Sequence, residues 1–99
     1  MPITAFHFWS PTCAPCKVIK PSVEDLKEEF DTVTWVSVNT HDDRQGYAEL
    51  YNVSVVPTIV VVVTDLEGKI VHTERHSGTT MAAYYRILRS AIKYASDNR

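Results

Sequence analysis

Residues 6–21, FHFWSPTCAPCKVIKP, contain a change of hydrophobic period that narrows the folds open to this chain. Before it, Ile3–Trp9 is rich in β-branched and aromatic residues and is apolar on both alternating sets. It stops at Ser10-Pro11, which is the pattern of a strand buried on both faces. After it, residues 14–30 turn helical, with Val18, Leu26 and Phe30 near one stripe and Glu24, Lys27 and Glu28 elsewhere. Pro15 suits the first helical turn, whereas Pro21 lies inside the helix and predicts a kink. Residues 33–38 read as the next strand, completing a βαβ unit with a right-handed crossover. A short helix follows over residues 42–51, and Asn52 suits the left-handed position that ends one. Residues 58–63 are β-branched throughout and read as a strand. A turn over 65–69 containing Gly68 leads into a further strand at 70–75. The last helix starts near Thr79 or Thr80 and carries Met81, Tyr84, Tyr85, Leu88, Ala91, Ile92 and Ala95 at helical spacing. This order of elements predicts an α/β fold, a four-stranded mixed sheet packed by three helices.

Bulk properties bound the function. Ninety-nine residues suffice for one domain, spanning 1–99, with a single core. A net charge of −2 without a long Lys/Arg run argues against a nucleic-acid or acidic-membrane surface. The longest apolar run, residues 53–63, is interrupted by Ser54, Pro57 and Thr58 and is too short to span a bilayer. The opening Met1-Pro2-Ile3 shows no basic leader or signal-type apolar segment, so the expected location is the cytoplasm, where thiols are kept reduced.

Cys13 and Cys16 are the only cysteines. A disulfide across so short a loop removes little chain entropy, so stability is a poor reason for the pair. C-x-x-C where a strand meets a helix in a βαβ unit reads as a redox motif. Helical residues three apart have Cβ atoms roughly 5–6 Å apart, a small adjustment from the disulfide range of about 3.5–4.5 Å. Cys13 sits at the helix N-terminus, where free N–H groups and the macrodipole stabilise a thiolate. Cys16, one turn in and more buried, keeps its proton longer. These positions make Cys13 the nucleophile and Cys16 the resolving thiol. Structural zinc is the rival reading, but it needs four ligands, and only His7, His41, His72 and His76 could complete the set without finger-like spacing. Two chance cysteines on a helix are the bland alternative.

The segment FWSPTCAPCKVIKP resembles the active-site region of thioredoxins: an aromatic-Trp pair, a short loop, W-C-G-P-C-K, and a proline eight residues after the first cysteine, here Pro21. YNVSVVPTIVVV resembles the family's Tyr-Gly-Ile…Ile-Pro-Thr segment, and EGKIV…HSGTT matches at Gly68 and Gly78. The three matches keep the family's order and span nearly the whole chain. The resemblance implies the thioredoxin fold, βαβαββα with strand order 2-1-3-4. It implies a cis Val56-Pro57 bond and a substrate groove of Thr12, Val56, Pro57, Ser77 and Gly78, in which the residue before the proline pairs with an extended substrate. Read without the family, Pro57 would merely start an edge strand. The implied activity is thiol–disulfide exchange on disulfide-containing proteins by a monomer recharged by a flavin-dependent thioredoxin reductase. No cofactor is needed beyond the cysteine pair.

Four departures stand out. The chain opens directly on the strand before the motif, without the family's first strand and helix, as in glutaredoxins; one sheet face then depends on the helix near residues 42–52. Thr12 replaces the tryptophan before the nucleophile. Ala14 replaces the glycine that precedes Pro15 between the cysteines, so the reduction potential cannot be copied from the family. His7 replaces a buried aspartate, and Ser37 its companion lysine. A desolvated, neutral His7 offers a lone pair to the Cys16 proton; the bland reading is a core histidine bonded to backbone or to Ser37. Trp9 is expected to pack beneath the active-site loop. His41, His72 and His76, like Lys17 and Lys20, read as solvated. The rival functions are a glutathione-recharged, glutaredoxin-like reductase and a non-catalytic thioredoxin-fold binding module. Against the former, the chain lacks Cys-Pro-Tyr-Cys and a Gly-Gly pair after Gly78.

Overall fold

The computed structural model describes residues 1–98. Four strands and three helices alternate as β1 (Ile3–Trp9), α1 (Ala14–Glu29), β2 (Thr34–Asn39), α2 (Tyr47–Leu50), β3 (Thr58–Thr64), β4 (Ile70–Ser77) and α3 (Met81–Asp97). The sheet order is β2-β1-β3-β4, as expected. β1 runs parallel to β2, with Thr4 opposite Thr34, and antiparallel to β3, with Phe8 opposite Thr58. β3 and β4 are antiparallel and joined by a tight turn in which Gly68 takes φ +83°.

The two central strands are buried on both faces, so each face needs a cover. On one, Ala5, Ile59, Val61 and Val63 meet Ile19, Val23, Leu26 and Phe30 from the α1 side and Tyr84, Ile87, Leu88 and Ala91 from α3. On the other, Phe6, Phe8, Val38, Val60 and Val62 are covered by Tyr47, Ala48, Tyr51, Val53 and Val56. Phe6 anchors this thinner side, its ring 4.9 Å from that of Tyr47 and 4.7 Å from that of Tyr51.

Two expectations need correction. Val18 is 77% exposed. The inward stripe of α1 is Cys16, Ile19, Val23 and Leu26, at spacings of three and four, and it leads to Phe30 at the helix end. Val18 is one residue, about 100° of helix turn, away from Ile19. The helix expected at 42–51 shortens to the single turn of α2. The Asp43 carboxylate accepts the N–H groups of Tyr47 at 3.0 Å and Ala48 at 2.8 Å, and Gly46 takes φ +70°, so helical backbone starts only after them. Asn52 ends the turn in the left-handed region, at φ 59°. The Arg75 guanidinium reaches from β4 to the carbonyls of Tyr51 and Asn52, tying this cover to the sheet.

The corrected α1 stripe predicts a contrast in equilibrium urea unfolding. Leu26→Ala should lose about 2–5 kcal/mol, as for other fully buried leucines, while Val18→Ala stays within about 0.5 kcal/mol.

Candidate active site

β1 delivers the chain to a tight turn in which the Cys13 N–H donates to the Ser10 carbonyl at 3.2 Å. Thr40, just beyond β2, fixes the end of β1 by donating its N–H to the Trp9 carbonyl at 2.9 Å. Cys13 is the N-cap of α1, with extended backbone (φ −90°, ψ 104°). Its Sγ accepts the N–H of Cys16 at 3.2 Å. Pro15, in the first turn, has no N–H to offer, so the residue after it is the one that reaches the cap. Cys13 and Cys16 are joined in a disulfide. Cys13 is half-buried at the surface, whereas Cys16 is only 5% exposed.

Two distant segments complete the site. The Val56 carbonyl oxygen lies 3.7 Å from Cys13 Sγ, and the Val56–Pro57 peptide is cis. The Gly78 N–H donates to the Pro57 carbonyl at 3.0 Å. Gly78 has φ +126°, a conformation that favours glycine. The Thr58 hydroxyl donates to the Val55 carbonyl at 2.7 Å, and its oxygen is 2.7 Å from the Ser77 hydroxyl. Since Thr58 spends its proton on Val55, Ser77 is the donor in that second bond. Ser77 is exposed beside this backbone, and Thr12 is exposed in the turn before Cys13.

Beneath the disulfide, a cleft of about 340 Å³ is lined by His7, Trp9, Cys16, Glu24, Lys27 and Ser37, among others. Lys17 and Lys20, both exposed as expected, stand on its outer wall. His7 is 7% exposed, and its Nε2 has no hydrogen-bond partner. Ser37 does not supply one: its hydroxyl accepts the Trp9 indole N–H at 2.7 Å. Burial holds the His7 imidazole down to about 4, with the Lys27 ammonium adding to the effect and the Glu24 carboxylate opposing it. Lys27 and Glu24 pair with each other at 3.2 Å. Among the described residues no three His, Cys, Asp or Glu side chains converge as a metal site would require.

The fold thus brings Cys13, Cys16, Val56, Pro57 and Gly78 together, with Ala14 and Pro15 exposed in the first turn of α1 and His7 behind Cys16. Pro21 is exposed within α1 and makes none of these contacts. His41 is exposed. His72 stacks on Tyr94 and lies 2.8 Å from the Glu74 carboxylate, so it is better packed than its polar neighbours implied. His76 meets the Tyr84 ring edge-on at 5.2 Å. Neither Tyr84 nor Thr58 stands out in the sequence as a site residue, because each sits in an apolar run that reads as core. The one available signal was chemical: a buried tyrosine or threonine hydroxyl needs a partner.

Comparison with known proteins agrees with this geometry. The family model described as Thioredoxin matches residues 3–85. The chain is 39% identical over 62 residues to a thioredoxin of Mycoplasma genitalium, covering 63% of this chain and 60% of that protein. It is 37% identical over 67 residues to a thioredoxin of Bacillus subtilis, covering 67% and 61%. The chain therefore spans about three fifths of the length of these curated relatives. Among solved structures, Fasciola hepatica thioredoxin superposes with a TM-score of 0.76 at 27% identity, covering 91% of this chain and 81% of that one. A family match over most of the chain, on a sheet of the expected order that carries a C-x-x-C disulfide at a strand–helix junction, shows that this chain belongs to the thioredoxin family.

Proposed function

We propose that this protein is a thiol–disulfide oxidoreductase that reduces disulfides in other proteins. The observation carrying this reading is the unequal disulfide: Cys13 is open at a helix N-terminus beside the Val56 carbonyl, while Cys16 is buried one turn further in. In the reduced protein the Cys13 thiolate attacks one sulfur of a substrate disulfide, and the other leaves as a thiolate. Cys16 then gives up its proton and attacks Cys13 Sγ, expelling the second substrate thiol. One substrate disulfide becomes a dithiol, and the Cys13–Cys16 pair takes the oxidised state, a transfer of two electrons. The backbone at Val56, Pro57 and Gly78 is the groove that receives an extended substrate. With Thr12 in place of a large aromatic, that groove has less apolar surface to offer. A flavin-dependent thioredoxin reductase is the matching electron donor, and the cytoplasm the matching compartment. Among the described residues no helix is long and apolar enough to cross a membrane.

His7 is the candidate to receive the Cys16 proton. Both residues border the same cleft, and the imidazole is neutral at pH 7 with an unspent ring nitrogen. Magnitude limits the role. Burial makes His7 a weak base, held down to about 4, so taking the proton of a buried thiol is an uphill step. His7 therefore acts as a transient acceptor of the proton, not as its resting place.

Three outcomes test these assignments. The wild-type chain should accelerate insulin reduction by dithiothreitol; Cys13→Ser should abolish the effect, and Cys16→Ser should accumulate a mixed disulfide. No acceleration by the wild type would sink the enzyme reading. In stopped-flow measurements, His7→Ala and His7→Asp should both change the pH dependence of the resolution step, and unchanged profiles remove His7 from the mechanism. The third outcome concerns stability. The folded imidazole titrates near 4 and the unfolded one near 6.5, so the unfolded chain binds the extra proton in that window. His7's contribution is intact above about pH 7 and is lost as the pH falls from 6.5 towards 4. His7→Leu lacks this loss, so over that interval it should gain about 3 kcal/mol on the wild type in urea unfolding. Parallel curves would show that His7 does not titrate as stated.

A further inference from the structure

The Tyr84 hydroxyl belongs to α3, yet it bridges the two backbone segments that flank the sulfurs. It donates to the Gly78 carbonyl and lies 3.4 Å from the Pro57 carbonyl. The Pro57 carbonyl also accepts the Gly78 N–H, so the hydroxyl closes a polar knot between the start of β3 and the turn after β4. Tyr84 is fully buried, and burial pushes its phenol up to about 12, so it remains a proton donor throughout the working range of pH. The apolar stripe of α3 requires only a large ring at this position, and phenylalanine would fill it. What the oxygen adds is the hold on two carbonyls. From the other side, the Thr58 hydroxyl pins Val55, so the intervening Val56 is fixed at both ends beside Cys13.

We propose that Tyr84 is a positioning residue that selects extended protein substrates. By holding the Gly78 turn against Pro57, its hydroxyl keeps the Val56 backbone in place for strand-like pairing with the chain around a target disulfide. This inference rests on the reductase reading and goes further in naming what separates protein disulfides from small ones. A small disulfide needs only to reach Cys13 and makes no use of the groove.

Tyr84→Phe removes the oxygen and keeps the ring. With insulin as substrate, KM should rise about three- to tenfold, the equivalent of one lost hydrogen bond, with kcat little changed. The rate with dithiobisnitrobenzoate should stay within about twofold, because no groove contact is made there. Ala91→Gly, a destabilising change elsewhere in α3, should leave the ratio of the two activities unchanged. Equal losses with both substrates, no loss with either, or the same selectivity shift in Ala91→Gly would overturn the proposal while leaving the reductase reading intact. A wild type inactive on both substrates overturns the two together. Should Tyr84→Phe not fold, amide exchange in the wild type decides. A Gly78 amide as protected as those of β3 supports the knot, and exchange at the rate of an open loop overturns it.

Discussion

Burial of β1 and β3 on both faces sets the terms for everything else in this molecule. Ala5, Phe6, His7 and Phe8 are all inside, as is every residue of β3 from Thr58 to Val63. A strand pair of this kind cannot face water on either side, so the connections must lay helices over both. The βαβ crossover places α1, and with it Cys13 and Cys16, at the carboxyl end of β1. The antiparallel return through β3 brings Pro57 to that same end, because Phe8 and Thr58 are opposite each other. The meeting of the cysteines with the cis-proline segment is thus a consequence of sheet register.

Much of this could be read from residue patterns. The period change at Ser10, the β-branched run after Pro57 and the stripe of α3 each reported a single dominant physical need. The errors arose where two needs competed. Val18 reads as core because it is hydrophobic, but the rotation of α1 is fixed by Cys16, Ile19, Val23 and Leu26 together, and Val18 is left in solvent. α2 is shorter than its sequence implies because a polar run gives no sign that one carboxylate, Asp43, will take two N–H groups and delay the helix. The cysteines were legible from spacing alone. The groove around them was legible only through family resemblance, since nothing local to Val56 announces which strand end it will face. Tyr84 and Thr58 lay hidden because their hydroxyls serve backbone carbonyls, and such pairings leave no trace in hydrophobic periodicity.

The two faces are covered unequally. One carries two long helices; the other depends on the single turn of α2 and the loop to Val56. That thin cover includes Val56, so the loop that closes a core also forms one wall of the site. Its attachments are correspondingly specific: the Phe6 ring packs at a tilt against those of Tyr47 and Tyr51, Arg75 holds the carbonyls that end α2, and Thr58 holds Val55. Loss of any of these loosens the core and the site together, whereas changes to the thick face reach the site through the placement of α1 and α3.

Two polar side chains are buried on the thick face with opposite outcomes. Tyr84 spends its hydroxyl on backbone carbonyls and so contributes both packing and order. His7 leaves Nε2 without a partner, a condition that typically costs about 1–3 kcal/mol. An apolar residue between Ala5 and Trp9 would satisfy the sheet without that cost. Its position gives the cost a use: the ring borders the cleft that reaches Cys16, and in the Nδ1–H tautomer Nε2 presents a lone pair not committed elsewhere. A histidine satisfied by Ser37 would have offered no such lone pair, but that bond is not made: the Ser37 hydroxyl oxygen accepts the Trp9 indole N–H and Nε2 is left alone.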